Sequence, residues 1–577
     1  MKPNLRRRQA DISRDLGASS LPELLQRLYA ARGITSQQQL DLQLKRLLPP
    51  QHLKGLAEAA QLLADAVEFE AQVLIVGDFD ADGATSSALA VSVLRQFGLA
   101  SVSYLVPNRF EFGYGLSPEI VGVAATREPD LIVTVDNGIS SLDGVAAAQA
   151  LGISVLITDH HLPGDSLPEA DVIVNPNQPG CSFPSKCLAG VGVMFYVLSG
   201  VRAELRARGW FASQGIEEPN LADALDLVAL GTVADVVPLD DNNRRLVAAG
   251  LDRIRSGRAR PGIEALFEVA GRDIRRASAS DLGFIAGPRL NAAGRLDDMS
   301  LGVECLLAES TAEARGAAER LDRLNRERRD IEQSMQHDAQ LQLRELQFDA
   351  RSAPFGLALF DPTWHQGVVG ILASRLKEQL YRPVIIFADA GQGELKGSGR
   401  SISGVHLRDV LAMVDAAHPE LILRFGGHAM AAGLTIAQAN FERFARIFNE
   451  AVSKWLSGAV PEWLAETDGE LSSSDLSLAM AKTLRSSGPW GQQFPEPSFD
   501  GEFEVVNHRI VGERHLKLRL SLSGQEFDAI AFNIDPDEWL AAPLKKLACV
   551  YQLDVNEYNG KESLQLLIQT HWDPQEA

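Results

Sequence analysis

From about residue 61 the chain alternates short, nearly unbroken β-branched runs with longer stretches of helical texture. QVLIVGD (72–78), SVSYLVP (101–107), DLIVTVD (130–136), ISVLITD (153–159) and ADVIVNP (170–176) lack the polar alternation of a half-exposed strand. Each therefore predicts a strand buried on both faces, and the helical stretches between them predict a parallel α/β sheet. Residues 1–60 read as short helices, LPELLQRLYAARG and then QQQLDLQLKRLLP, ending at Pro49 and Pro50. No proline lies between Pro288 and Pro354, and 311–351 is rich in Ala, Leu, Glu, Gln and Arg, which predicts one long connecting helix. A second α/β pattern follows, with strands GLALFD (356–361) and PVIIFA (383–388), a helix from about Val369, and Gly-rich loops at 391–404 and 426–433. Beyond about residue 500, leucines at 516, 518, 520 and 522 keep a strict period of two. EFDAIAFN, LACVYQLDV and SLQLLIQTHW predict further strands, and Asn559-Gly560 suits a hairpin turn, so this part predicts a small antiparallel barrel or sandwich. The pattern divides the chain at 1–60, 61–310, 311–351, 352–458 and 465–577.

Composition narrows the class. A length of 577 residues implies about three or four domains. With 45% hydrophobic and 23% charged residues, each can bury an ordinary core. The balance of 55 Lys+Arg against 76 Asp+Glu gives 55 − 76 = −21, which argues against a protein that coats duplex DNA but leaves room for a local basic channel. Six arginines between Arg315 and Arg329, interleaved with Glu319, Asp322 and Glu327, fit either a solvated helix face or a phosphate-tracking surface. The four cysteines form no C-x-x-C pair, the basic N-terminus has no apolar run behind it, and no apolar stretch reaches the length of a membrane span. The expectation is a soluble cytoplasmic protein without a membrane partner.

The densest chemical signal is GDFDADG (77–83), directly after a buried strand. Asp78, Asp80 and Asp82 recur at every second position and share one side of an extended segment, with Gly83 able to turn the chain into a helix. Two such charges 4 Å apart repel by about 4 kcal/mol at an effective dielectric of 20, so the group must be protonated, solvated or bound to cations. An acidic loop after a strand is the plain alternative. Asp136 in VDNG and Asp159-His160-His161 follow two further apolar strands, and Asp235 in VALGTVADVVPL ends another apolar segment. Carboxylates with imidazole suit Mg²⁺ or Mn²⁺, and a bridging carboxylate with ligands on either side would hold two ions about 3.5–4 Å apart for phosphoryl displacement.

GDFDADG, VDNG, DHH and GTVADVV, in this order, resemble the four motifs of the DHH phosphoesterase superfamily. GPRLNAAGRLDD (287–298), WHQGVVGILASR (364–375), GSGRS (397–401) and GGHAMAAG (426–433) are similar to motifs of its single-strand-specific exonuclease branch and of the DHHA1 domain. The likeness runs from about residue 60 to the C-terminus. It implies a parallel-sheet DHH domain and a second α/β DHHA1 domain joined by the long helix, with a C-terminal OB-like β-barrel. It implies two divalent metal ions (Mn²⁺ or Mg²⁺) on Asp80, Asp82, Asp136, His160 and Asp235, with Asp136 bridging. His161 is placed for the scissile phosphate, and Asp159 orients a histidine. Many members carry His four residues before the first ligand Asp, where this chain has Val76, so one site has a protein ligand fewer and Asp78 or water compensates.

The second half reads as substrate recognition. Arg289, Asn291 and Arg295 form a motif too polar for a core. GSGRS offers backbone N–H groups, Ser398, Ser401 and a bidentate Arg400, the parts of an anion nest, and GGHAMAAG sets His428 among small residues where a phosphate could approach the backbone. The resemblance implies that Ser398, Gly399 and Arg400, with Arg109, clasp a 5′-phosphate. The activity it implies is a 5′→3′ exonuclease on single-stranded DNA that releases 5′-mononucleotides. It further implies a monomer acting in recombination and repair with the single-strand-binding protein and a RecQ-type helicase. A pyrophosphatase or short-oligonucleotide phosphodiesterase, and a non-catalytic strand-binding factor, are the competing readings.

Overall fold

The computed structural model describes residues 3–108, 112, 115–345, 354–512, 514–534, 536–558 and 560–574. Two compact units make up the chain, one from Leu5–Arg323 with Glu466–Ala577, the other chiefly Leu324–Ala465.

The first unit holds a five-stranded, all-parallel sheet of β1 (Val73–Gly77), β2 (Val102–Leu105), β3 (Leu131–Val135), β4 (Ser154–Thr158) and β5 (Val172–Val174), in the order β2-β1-β3-β4-β5. All residues of β1 and β3 are buried, as their unbroken apolar character predicts. Leu74, Val76, Ile132, Val155 and Ile157 pack on one face against Ile120, Val121, Val145 and Ala148 of helices Pro118–Ala125 and Leu142–Ala150. Helices Ala81–Gln96 and Gly190–Ala207 pack on the other. The strand order reverses between β1 and β3, and in open parallel sheets that crevice, at the carboxyl ends, is where ligands bind.

The same unit carries a closed barrel of β11 (Phe499–Val511), β12 (His515–Leu522), β13 (Gln525–Ala531), β14 (Lys546–Tyr558) and β15 (Lys561–Trp572), numbered after the five strands of the second unit. The barrel order is β11-β12-β13-β15-β14, and β13 with β15 is its parallel pair. Leu516, Leu518 and Leu520 point inward, so the period of two in the sequence is the inside–outside alternation of a barrel wall.

In the second unit, β6 (Leu357–Phe360), β7 (Val384–Gly391), β8 (Glu394–Arg400), β9 (Arg424–Gly427) and β10 (Ala431–Ala437) form a mixed sheet in the order β9-β10-β8-β7-β6. Its core centres on Phe387, Phe444 and Phe448. The long helix runs Thr311–Glu345 and passes from the first unit into the second.

Two expectations from the pattern give way. The Gly-rich stretches expected as loops are largely strands β8, β9 and β10. Glycine there provides clearance rather than a turn: a Cβ at Gly397 would lie 2.5 Å from the Phe387 ring, and one at Gly399 2.7 Å from Leu407. The QQQLDLQLKRLLP helix is instead the short 3-10 turns Gln37–Leu40, Leu44–Arg46 and Pro50–His52. Its backbone is satisfied from outside, with Arg244 donating to the Gln39 carbonyl, Arg245 to that of Asp41, and Asn242 accepting from Leu48 N–H. Among the described residues, no helix is long and apolar enough to cross a membrane.

Candidate metal centre

Three neighbouring strands deliver acidic residues to one edge of the parallel sheet. After β1 the chain turns through Asp78 and Asp80 into helix Ala81–Gln96. Asp80 is the N-cap, its Oδ1 accepting from the backbone N–H of Asp82 (2.9 Å) and Gly83 (3.0 Å). A Cβ at Gly83 would lie 2.3 Å from the Asp78 carbonyl oxygen, so this tight reversal requires glycine.

Asp82 is fully buried. The backbone N–H groups of Gly190 (2.6 Å) and Val191 (3.0 Å), at the N-terminus of helix Gly190–Ala207, donate to its two oxygens. That helix end favours negative charge. Burial, with the nearby Asp80 charge, nevertheless pushes the Asp82 carboxyl up to about 7. Asp136 follows β3 at φ +62°, a left-handed backbone that aims its side chain out of the strand direction. Asp235 ends helix Leu225–Ala234. Asp136 and Asp235 are held well above the ordinary carboxylate range by burial and by the surrounding aspartates.

His160, after β4, points into this acidic set. Its Nε2 lies 3.1 Å from Asp136 Oδ1, 3.4 Å from Asp235 Oδ2 and 4.0 Å from Asp82 Oδ2, yet is hydrogen-bonded to none. Burial pulls its pKa down to about 4, so the imidazole is neutral at pH 7 and does not balance the carboxylates. Closely spaced acids facing a neutral imidazole nitrogen form a donor set suited to hard or borderline divalent ions. Ligand atoms of Asp82, His160 and Asp235 lie within 4.8 Å of one another, as do those of Asp78, Asp80 and Asp136, and those of Asp136, His160 and His161. The three groups overlap: Asp136 belongs to the first and third of Asp136–His160–His161, Asp82–His160–Asp235 and Asp78–Asp80–Asp136, and His160 to the first and second, with His160 Nε2 3.1 Å from Asp136 Oδ1.

Asp159 stands behind the histidines. Its Oδ2 accepts from Ile139 N–H, and its Oδ1 from the N–H groups of His160 and His161 and from the His161 ring at Nδ1, 2.8 Å away. Burial would raise the Asp159 pKa, but the hydrogen bond and charge of His161 outweigh it and hold the carboxyl below its usual range. For His161 burial pulls downward, and the Asp159 hydrogen bond and charge prevail and raise the pKa. The pair fixes the ring's orientation. Val76 is fully buried in the sheet core with Leu74 and Ile132, whereas Asp78 lies beside Asp80 and Asp136.

The predicted substrate residues are placed less uniformly. Arg289 is buried, paired to Asp322 of the long helix (2.8 Å) and bonded to the Ile285 carbonyl, so it braces helix Gly287–Leu296. Asn291 Oδ1 accepts from Ala81 N–H at 2.8 Å and so braces the Asp78–Asp82 turn. Arg295 is half-buried on the same helix. Arg109 lies outside the described residues. In the second unit the nest reading of GSGRS also falls, because β8 pairs with β7 and β10 on both sides and its backbone is committed to those ladders. What remains is side-chain chemistry. Ser398 Oγ accepts from Arg400 at 3.1 Å, and both stand at Gly370 near the start of helix Val369–Leu380, where a Cβ would come within 2.9 Å of Ser398 Oγ. His428 is exposed in the turn between β9 and β10.

The pattern did not single out Gly190, Gly231 and Gly294. A Cβ on each would strike, respectively, Asp136 Cβ (2.6 Å), Asp82 Oδ1 (2.8 Å) and the Phe79 carbonyl oxygen (1.8 Å). Glycines inside otherwise helical runs, as in LAGVGVMF, are the signal that marked them.

Comparison with known proteins agrees with this architecture. The DHH family, N-terminal domain, matches residues 72–232, the DHHA1 domain 354–454 and the RecJ OB domain 467–570. The single-stranded-DNA-specific exonuclease RecJ of Salmonella typhimurium is 54% identical over 98% of this chain and 99% of its own length, and that of Escherichia coli is likewise 54% identical over 98% and 99%. The crystal structure of Thermus thermophilus RecJ in complex with Mn²⁺ superposes with a TM-score of 0.80 at 29% identity, covering 99% of this chain and 80% of that one. A Mg²⁺ complex of RecJ from the same organism gives a TM-score of 0.74 at 28% identity. The chain belongs to the RecJ family of single-stranded-DNA-specific exonucleases, built on DHH, DHHA1 and OB domains.

Proposed function

We propose that this chain degrades single-stranded DNA from the 5′ end, releasing 5′-mononucleotides with the aid of two divalent metal ions, Mn²⁺ or Mg²⁺. The observation that carries the reading is the set of three overlapping donor groups linked by Asp136 and His160, on the carboxyl edge of the parallel sheet. Asp82, His160 and Asp235 would hold one ion and Asp78, Asp80 and Asp136 the other, with Asp136, 3.1 Å from His160 Nε2, placed to serve both. Cations bound there supply the Lewis acidity that ionises water near neutral pH and neutralises charge on phosphoryl oxygens.

The protein's own side chains do the rest. His161, its Nδ1 bonded to Asp159, offers Nε2 as a donor to a non-bridging oxygen of the scissile phosphate and steadies the charge that grows there. Water adds to phosphorus, the bond to the 3′-oxygen of the first nucleotide breaks, and that oxygen takes up a proton. The shortened strand keeps a 5′-phosphate, ready for the next cycle. Ser398, Arg400 and the start of helix Val369–Leu380 recognise the terminal phosphate. On the barrel, Arg509 and Lys517 are direct cross-strand partners, an unfavourable pairing of like charges that a phosphate backbone would relieve. The setting is DNA recombination and repair, in the cytoplasm, as a monomer working with the single-strand-binding protein and a RecQ-type helicase.

Product analysis on 5′-labelled single strands with Mn²⁺ tests the reading. Labelled 5′-mononucleotide should appear first, duplex should resist, and folded Asp136→Ala should be inert. Internal cuts, equal attack on duplex, or an active Asp136→Ala would reject it.

A further inference from the structure

Asp235 differs from the other donors in how it is held. It stands at the end of helix Leu225–Ala234, and the chain beyond it runs through Val236, Val237, Pro238 and Leu239 to Asp240, the N-cap of helix Asp241–Arg255. Val236 has φ +59° and is 63% exposed. A β-branched residue in that region is strained, of order 1–3 kcal/mol, and persists only where its surroundings impose it. Val236 N–H donates to the Val233 carbonyl at 3.2 Å, so the left-handed residue caps the helix, and the residues that follow hold the link beyond it.

Those residues are pinned twice. Asn243 Nδ2 donates to the Pro238 carbonyl at 2.9 Å, and Leu239 N–H donates to the Gln492 carbonyl at 2.8 Å. Gln492 lies in a turn closed by mutual backbone hydrogen bonds between Gly491 and Phe494, within the segment that matches the RecJ OB domain. The turn is rigid: Trp490 stacks on Phe494 at 5.2 Å and on Tyr29 at 5.9 Å, and the Arg244 guanidinium sits 4.4 Å over the Phe494 ring. Gly491 and buried Leu239 are in close apposition, since a Cβ on Gly491 would lie 2.7 Å from Leu239 Cδ1.

We propose that the Trp490–Phe494 turn is a positioning element for the metal centre, holding Asp235 in place through the strained Val236–Leu239 link. The inference rests on the reading that Asp235 is a metal ligand. The barrel half of the chain then completes the catalytic half: Leu239 is fixed from outside the DHH segment, the link cannot relax, and the Asp235 carboxylate stays 3.4 Å from His160 Nε2. Partners that orient metal ligands are commonly worth 10–100-fold in metal affinity.

The experiment measures Mn²⁺ binding to the full chain by electron paramagnetic resonance of free Mn²⁺, with circular dichroism to confirm folding. Gly491→Ala pushes on Leu239, and Phe494→Ala loosens the turn without adding atoms. Each is expected to weaken one of the two Mn²⁺ sites about tenfold, and turnover should recover at saturating Mn²⁺. Gly491→Ala combined with Leu239→Ala makes room for the added methyl and should return the affinity to within about twofold of wild type, a rescue that a general loss of stability would not show. Asp235→Asn is the reference and should lose one Mn²⁺ equivalent. If Asp235→Asn still binds two ions, the ligand reading fails. If it loses one while Gly491→Ala and Phe494→Ala bind normally, or if the double variant is not rescued, the positioning role is overturned. Should Gly491→Ala not fold, Phe494→Ala alone decides.

Discussion

Gly190→Ala is the sharpest single-atom test of the metal centre. A methyl at this position would lie 2.6 Å from Asp136 Cβ, 2.8 Å from its Oδ1 and 2.9 Å from its Cα. Ordinary contact begins near 3.4 Å, so the helix start and Asp136 must part by about 3.4 − 2.6 = 0.8 Å. Neither can move alone at no cost, because Gly190 N–H also donates to Asp82 at 2.6 Å and Asp136 sits in a left-handed backbone. Metal–ligand distances tolerate only about 0.2 Å, and misplacing reacting groups by about 1 Å costs on the order of a hundredfold in rate. Overpacking of this kind costs about 1–3 kcal/mol of stability. Gly192→Ala is the matched control on the same helix: the nearest atoms to its methyl would be those of the Leu188 side chain, the closest at 3.2 Å. There the gain of up to about 1 kcal/mol from replacing a helical glycine offsets the contact. The assay is exonuclease rate and Mn²⁺ affinity for the two variants side by side, with thermal unfolding. Gly190→Ala should lose about two orders of magnitude in rate, and Gly192→Ala should stay near wild type. Equal, near-wild-type behaviour of both would refute the claim that Asp82 and Asp136 are held at fixed separation by this helix end.

Three further outcomes are expected. Arg289→Ala leaves Asp322 buried without its guanidinium, so it should lower stability by about 3–5 kcal/mol in denaturant unfolding; weakened DNA binding without lost stability would restore Arg289 to the substrate. Asp235→Asn removes one of the crowded buried carboxylates, so the metal-free protein should melt higher than wild type, while the stabilisation that Mn²⁺ gives the wild type (about 2.7 kcal/mol at a hundred times Kd) should shrink. Arg400→Ala should weaken binding of 5′-phosphorylated strands about tenfold and leave 5′-hydroxyl strands little changed, as read by fluorescence anisotropy; an equal loss for both ends would remove Arg400 from end recognition.

The acidic cluster was legible because its local context was: each of Asp78, Asp136 and Asp159 follows an apolar run that had to be a buried parallel strand, and chemistry gathers at such strand ends. The barrel was legible from the leucine period at 516–522. What stayed hidden depends on partners far away in sequence. The polar character of Arg289 and Asn291 suggested a substrate, and the fold pairs Arg289 with Asp322 and has the Ala81 N–H donate to Asn291 Oδ1. Gly397 and Gly399 read as loop residues because composition does not reveal that Phe387 and Leu407 press against them. Gly190 reads as an ordinary position in an apolar helix until the fold brings Asp136 against it. Val76, where the superfamily pattern has His, is buried in the sheet core with Leu74 and Ile132.

The central claim is most directly tested by anomalous diffraction from crystals of this protein soaked in Mn²⁺. The account predicts two peaks, one among Asp82, His160 and Asp235 and one beside Asp78 and Asp80, both in contact with Asp136. An active enzyme whose Mn²⁺ lies elsewhere, or whose Asp136 touches no ion, would contradict it.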